Sequence, residues 1–88
     1  MSESVNKEDA RCLLASNVQK YRLQMGLSQE KLAELAGFHR TYISQVERCV
    51  ANATTDNVQR LAEVLNVPVA LLFTPHTNQQ ESGVSAVN

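Results

Sequence analysis

Wound as an α-helix at about 100° per residue, residues 40–48 place Arg40, Thr41, Ser44, Gln45 and Arg48 within one arc of about 140°. Tyr42, Ile43 and Val46 fall within about 100° on the opposite side. The polar arc carries two guanidinium groups and an amide, with no acidic residue at its centre. These side chains match the edges of base pairs. Arg can bond guanine O6 and N7 together, Gln can bond adenine N6 and N7 together, and a Thr methyl can touch a thymine methyl. A solvated amphipathic helix also has a polar face, so the residue types carry this reading rather than polarity alone.

Such a helix needs a partner to fix it against the rest of the chain. Residues 28–48, SQEKLAELAGFHRTYISQVER, read as two short helices joined by a turn at Gly37. Ala33 is small enough for a steep helix crossing, Gly37 can take a positive φ, and Ile43 and Val46 fold the second helix back onto the first. Around this pair the sequence predicts a first helix over about Lys7–Met25, with Leu14, Val18, Tyr21 and Met25 as its apolar stripe and Gly26 as its stop. Helix two runs over 29–36, capped by Ser28, and buries Leu32, Leu35 and Ala36. The reading helix runs over 40–48, with His39 as its cap. Thr54 caps a fourth helix with Val58, Leu61, Ala62 and Leu65 inward and Asn66 as its stop, and Pro68 opens a fifth that ends at Phe73. The expected fold class is all-α: a compact five-helix bundle over 7–74, flanked by a disordered arm (1–6) and a flexible tail (75–88).

Composition narrows the function. Eighty-eight residues make one small domain with no room for a deep catalytic cleft. No apolar run approaches the roughly 20 residues of a membrane span, and the polar start MSESVNKEDA lacks a signal-peptide pattern, so a cytoplasmic location is expected. The chain has no Ser/His/Asp grouping, paired catalytic carboxylates, phosphate-cradling glycine loop or metal-ligand spacing. No enzyme, metal, cofactor or small-molecule ligand is therefore expected. Cys12 and Cys49 lack CxxC spacing and read as reduced, partly buried small apolar residues. The net charge of −1 argues against a nucleic-acid partner until its distribution is considered. Residues 1–19 carry −1 and residues 49–88 carry −2, whereas residues 20–48 carry +2, and that segment holds the reading helix. So small an excess implies few phosphate contacts per subunit and a need for two subunits.

Together these residues resemble the helix-turn-helix family of phage Cro and repressor proteins, the XRE family, over Val18–Phe73. The matching strings are LSQEKLAELAG, RTYISQVER and LAEVLNVPVALLF. RTYISQVER followed by NATTDN is most similar to the restriction–modification controller subgroup. The resemblance implies a lambda-repressor-like five-helix domain that binds palindromic double-stranded DNA operators as a homodimer, with helix three in the major groove. Arg40, Thr41 and Gln45 would contact bases, and Ser44 a base or a phosphate. Gln29 would grip a phosphate, and Arg48 and Asn52 would touch the DNA backbone. Tyr42 lies at the core boundary, where its hydroxyl could meet a phosphate. Arg22 and Glu47, readers by residue type, would instead form a partly buried salt bridge between helices one and three. Cys49 stands where the family usually has glycine, which implies that the helix runs on or that the following loop differs.

The segment 67–73, VPVALLF, is apolar on nearly every side, too much for a short edge helix to hide. Val67, Val69, Leu71, Leu72 and Phe73 are therefore the expected dimer interface. The leading function is a sequence-specific transcription regulator. The rivals are an antitoxin-type autoregulator that also masks a toxin protein, and a pure protein-interaction module.

Overall fold

Asp9 starts the first helix: its carboxylate accepts the backbone N–H of Arg11 at 2.8 Å, so α1 spans Ala10–Gln24 rather than beginning at Lys7. The computed structural model describes residues 9–75. The expected arm over 1–6 and, apart from Pro75, the tail over 75–88 lie outside them. After α1 come α2 (Gln29–Ala36), α3 (Arg40–Glu47), α4 (Thr55–Leu65) and a single 3-10 turn, Val69–Phe73. The described residues are thus all helical, but with four α-helices, not five. The fifth element begins after Pro68, which lacks an N–H, and five residues are too few for a ladder of α-type bonds.

Side-chain oxygens cap α2 and α4 as their sequences predict: Ser28 accepts from the Lys31 N–H at 2.9 Å and Thr54 from the Asn57 N–H at 3.1 Å. His39 occupies the cap position of α3 but makes no capping bond with its side chain, so that expectation fails. The four α-helices end alike, each in a left-handed residue followed by an N–H that reaches five residues back. These bonds are Leu27 to Arg22 (3.0 Å), Phe38 to Ala33 (2.8 Å), Val50 to Gln45 (3.1 Å) and Val67 to Ala62 (3.0 Å). The left-handed residues are Gly26, Gly37, Cys49 and Asn66. Gly37 is required twice over. Its φ is +79°, and a Cβ there would lie 2.7 Å from Nη2 of Arg60, which also stacks over Phe38 at 4.4 Å.

Leu32, Ile43, Leu61, Leu72, Val18 and Val46 are fully enclosed and form the centre of the core. Burial of each such side chain contributes about 1.5–3 kcal/mol. Three expected positions depart from this centre. Met25 is 47% exposed because α1 has already ended at Gln24, and Leu35 is 51% exposed because it lies off the inward arc of α2, where Ala33 fills the place given to it. Leu72 is wholly enclosed in the chain's own core, which removes it from any dimer surface. The 3-10 turn docks through that leucine and through Asn17, only 1% exposed, whose amide donates to the carbonyls of Leu13, Leu72 and Thr74 at 2.9–3.1 Å. Asn17 interrupts the apolar stripe between Leu14 and Val18, and that position is the signal that could have marked it.

Cys12 and Cys49 are not reduced but joined as a disulfide, with a Cα–Cα distance of 4.7 Å. Sequence spacing could not reveal this pairing, because only the packing of α1 on α3 brings residues so far apart in the chain together. The bond closes a loop of 37 residues, for which chain entropy predicts about 3–4 kcal/mol of stabilisation.

Candidate nucleic-acid interface

The helix α3 presents one face outward because the other is consumed by the core: Ile43 is 0% and Val46 2% exposed. Arg40, Thr41, Gln45 and Arg48 stand exposed on the outer face, with Ser44 half-buried among them. Among the described residues, neither Arg40 nor Arg48 has an ion-pair partner, and their guanidinium groups remain available to an anion or a base edge. Helix two supports this face across the Gly37 turn, as the spacing of Ala33, Gly37, Ile43 and Val46 predicts.

Glu47, on the same helix, is turned inward. Arg22 Nε donates to Glu47 Oε2 at 2.7 Å and Arg22 Nη2 to Oε1 at 3.0 Å, a bidentate pair whose side chains are 10% and 4% exposed. Arg22 Nη1 also donates to the Leu27 carbonyl at 2.9 Å. The pair ties the end of α1 to the end of α3, as the resemblance implied, and removes both residues from any reading surface. Gln29 joins them: its Nε2 donates to Glu47 Oε1 at 3.0 Å. The amide was expected to grip a phosphate, yet one of its two hydrogens is already held. The second hydrogen and the N–H groups of Gln29 and Glu30 remain, since that of Lys31 is held by Ser28.

Tyr42 is half-buried, its ring 4.8 Å from that of Phe38, and its hydroxyl accepts from Asn57 Nδ2 at 3.1 Å. That hydroxyl keeps its own proton for donation. Past the helix, Cys49 adopts φ +67°, the backbone a glycine would take, so α3 neither runs on nor loses its turn. Asn52 is exposed in the loop that follows, and its Oδ1 accepts from Arg11 Nη2 at 2.8 Å. This contact brings a further cation from α1 beside Asn52. Nothing in the sequence pattern singled out Arg11, since the link depends on how α1 packs.

Val67, Val69 and Phe73 are half-buried at the opposite edge, and Leu71 is 36% exposed. Val69 and Phe73 line a shallow groove of about 220 Å³ with Ala53, Thr55, Val58 and Gln59. No group of metal-ligating side chains occurs among the described residues, and none of their helices is long and apolar enough to cross a membrane.

Residues 18–72 match the helix-turn-helix family model. The chain is 45% identical over 75 residues to the control protein C.SmaI of Serratia marcescens, covering 85% of this chain and 89% of that one. Among solved structures it is similar to the hypothetical transcription factor NHTF from Neisseria, with a TM-score of 0.77 and 37% identity over 83% of this chain and 84% of the other. It is also similar to the restriction–modification controller protein C.Esp1396I bound to a 19 base pair DNA duplex. There the TM-score is 0.67 and the identity 31%, over 74% of this chain and 87% of that one.

Proposed function

Because the chain belongs to the XRE-type helix-turn-helix family of DNA-binding regulators, with controller proteins among its relatives, we propose that it regulates transcription as a homodimer that reads a palindromic operator. The observation that carries this reading is the outer face of α3, where Arg40, Thr41, Ser44 and Gln45 project from a helix anchored by Ile43 and Val46. On this reading Arg40, Thr41 and Gln45 meet base edges in the major groove, and Ser44 meets a base or a phosphate. Gln29, Tyr42, Arg48 and Asn52 hold the phosphates on either side and fix the register of α3. A relative of 31% identity that is bound to a DNA duplex supports DNA binding as such.

The dimer surface on this reading is Val67, Val69, Leu71 and Phe73, with Leu72 left inside the subunit. A two-fold axis there would set the two copies of α3 about one helical turn of DNA apart, roughly 34 Å. Occupancy of a promoter is the mechanism, and control follows protein concentration through the dimer equilibrium.

Selection of bound duplexes from a random DNA pool tests the reading. The expected product is a palindrome with half-sites about ten base pairs apart, and recovery of no common sequence overturns it. Leu71→Asp places a charge on the proposed interface and is expected to sediment as a folded monomer with lost operator affinity. A monomer that binds as the parent does would remove the dimer from the mechanism.

A further inference from the structure

We propose that Cys12 and Cys49 form a redox-operated clasp, and that the protein binds its DNA more tightly with the clasp closed; this rests on the DNA-binding reading above. The disulfide joins the first turn of α1 to the left-handed residue that ends α3. Of the four left-handed stops, three are Gly or Asn, which tolerate that backbone, and the fourth is Cys49. A cysteine resists this conformation unless something holds it, and the bond to Cys12 supplies the hold.

The residues next to the clasp are those through which it would act. Arg48 immediately precedes Cys49. Asn52 lies three positions beyond, bonded at 2.8 Å to Arg11, the neighbour of Cys12. A closed clasp therefore fixes three exposed polar groups, Arg11, Arg48 and Asn52, in one arrangement beside α3. An open clasp frees Cys49 to leave φ +67°, and the loop over 48–52 loses its fixed path. Both cysteines are half-buried, within reach of a small thiol or disulfide.

The chemistry is thiol–disulfide exchange with a low-molecular-weight disulfide of the glutathione class. One cysteine thiolate attacks a sulfur of that disulfide, forming a mixed disulfide and releasing one thiolate. The second cysteine thiolate then displaces the other small thiolate and forms the Cys12–Cys49 bond. The two protein sulfurs are oxidised by two electrons in all. The small disulfide is reduced to two thiols, which take up the two protons. Excess small thiol drives the same steps in reverse.

The test uses the full chain, treated with oxidised glutathione or with dithiothreitol, and an operator duplex obtained from the random pool. Alkylation followed by intact mass counts the free thiols, and far-ultraviolet circular dichroism shows that both forms remain folded. Affinity for the duplex is expected to fall about tenfold on reduction, within the usual range for coupled sites, while amide exchange at Cys49 and Val50 rises. Cys12→Ser and Cys49→Gly are each expected to bind identically under both treatments. Equal affinity of oxidised and reduced parent overturns the proposal, as does a disulfide that oxidised glutathione fails to form or a redox response that survives in Cys12→Ser. If the clasp opens and closes but neither form prefers any duplex, the DNA-binding reading itself has failed and the clasp loses its role with it.

Discussion

At the C-terminal end of α3, Glu47 accepts three hydrogen bonds from Arg22 and Gln29, and Cys49 is covalently tied to α1. On the outer face of the same helix, Arg40, Thr41 and Gln45 stand exposed and make no side-chain bond among the described residues. The residue types alone do not separate these groups, since Arg22 and Glu47 are as polar as Arg40 and Gln45. Their bonding does. Polar groups that are buried and bonded inside the protein, as Arg22 and Glu47 are, hold α3 in place, and exposed groups with all or part of their bonding capacity unspent are left for a ligand.

Substitutions can break this distinction if it is wrong. The largest effect is expected from Leu72→Asp, which would bury a carboxylate in a site with 0% exposure. A loss of at least 4 kcal/mol, enough to abolish cooperative thermal unfolding, is roughly what an unpaired buried charge costs. A variant that melts as the parent does would show that the 3-10 turn is not part of the core. Arg22→Ala comes next. It strands Glu47, whose side chain is 4% exposed, and should cost about 3–5 kcal/mol in urea unfolding. Equal midpoints for variant and parent would return Arg22 and Glu47 to the candidate readers. Smallest is Ser28→Ala, which removes the cap bond to Lys31 and should cost about 1 kcal/mol. Because that cap starts the helix that supports α3, base preferences should be unchanged, and an altered preference would extend the reading surface to α2.

Much of this arrangement was legible in the chain because it is written locally. Ser28, Thr54, Gly26, Gly37 and Asn66 act on their own helix ends, and they do what their residue types allow. The polar and apolar arcs of α3 follow from helical period alone, so Ile43 and Val46 point inward as expected. Features that depend on how distant segments meet were not legible. The Cys12–Cys49 bond, the link from Arg11 to Asn52 and the stacking of Arg60 over Phe38 all span more than twenty residues of chain. The apolar run VPVALLF places Leu72 among the expected interface residues because periodicity in so short a segment cannot say which side chain turns inward; Leu72 does. The Arg22–Glu47 pair also spans a long stretch of chain. It was anticipated through family resemblance, since composition alone would have made both residues readers.

The central claim is that the unbonded face of α3 reads bases. Its most direct measurement is a set of binding titrations on the operator and on duplexes with each base pair replaced in turn, run for the parent, Arg40→Ala and Gln45→Ala beside their melting curves. Each variant is expected to melt with the parent and to lose discrimination at one position of each half-site, by about 1–3 kcal/mol. Weakening that is uniform across all duplexes, or discrimination left intact in both variants, would contradict the account.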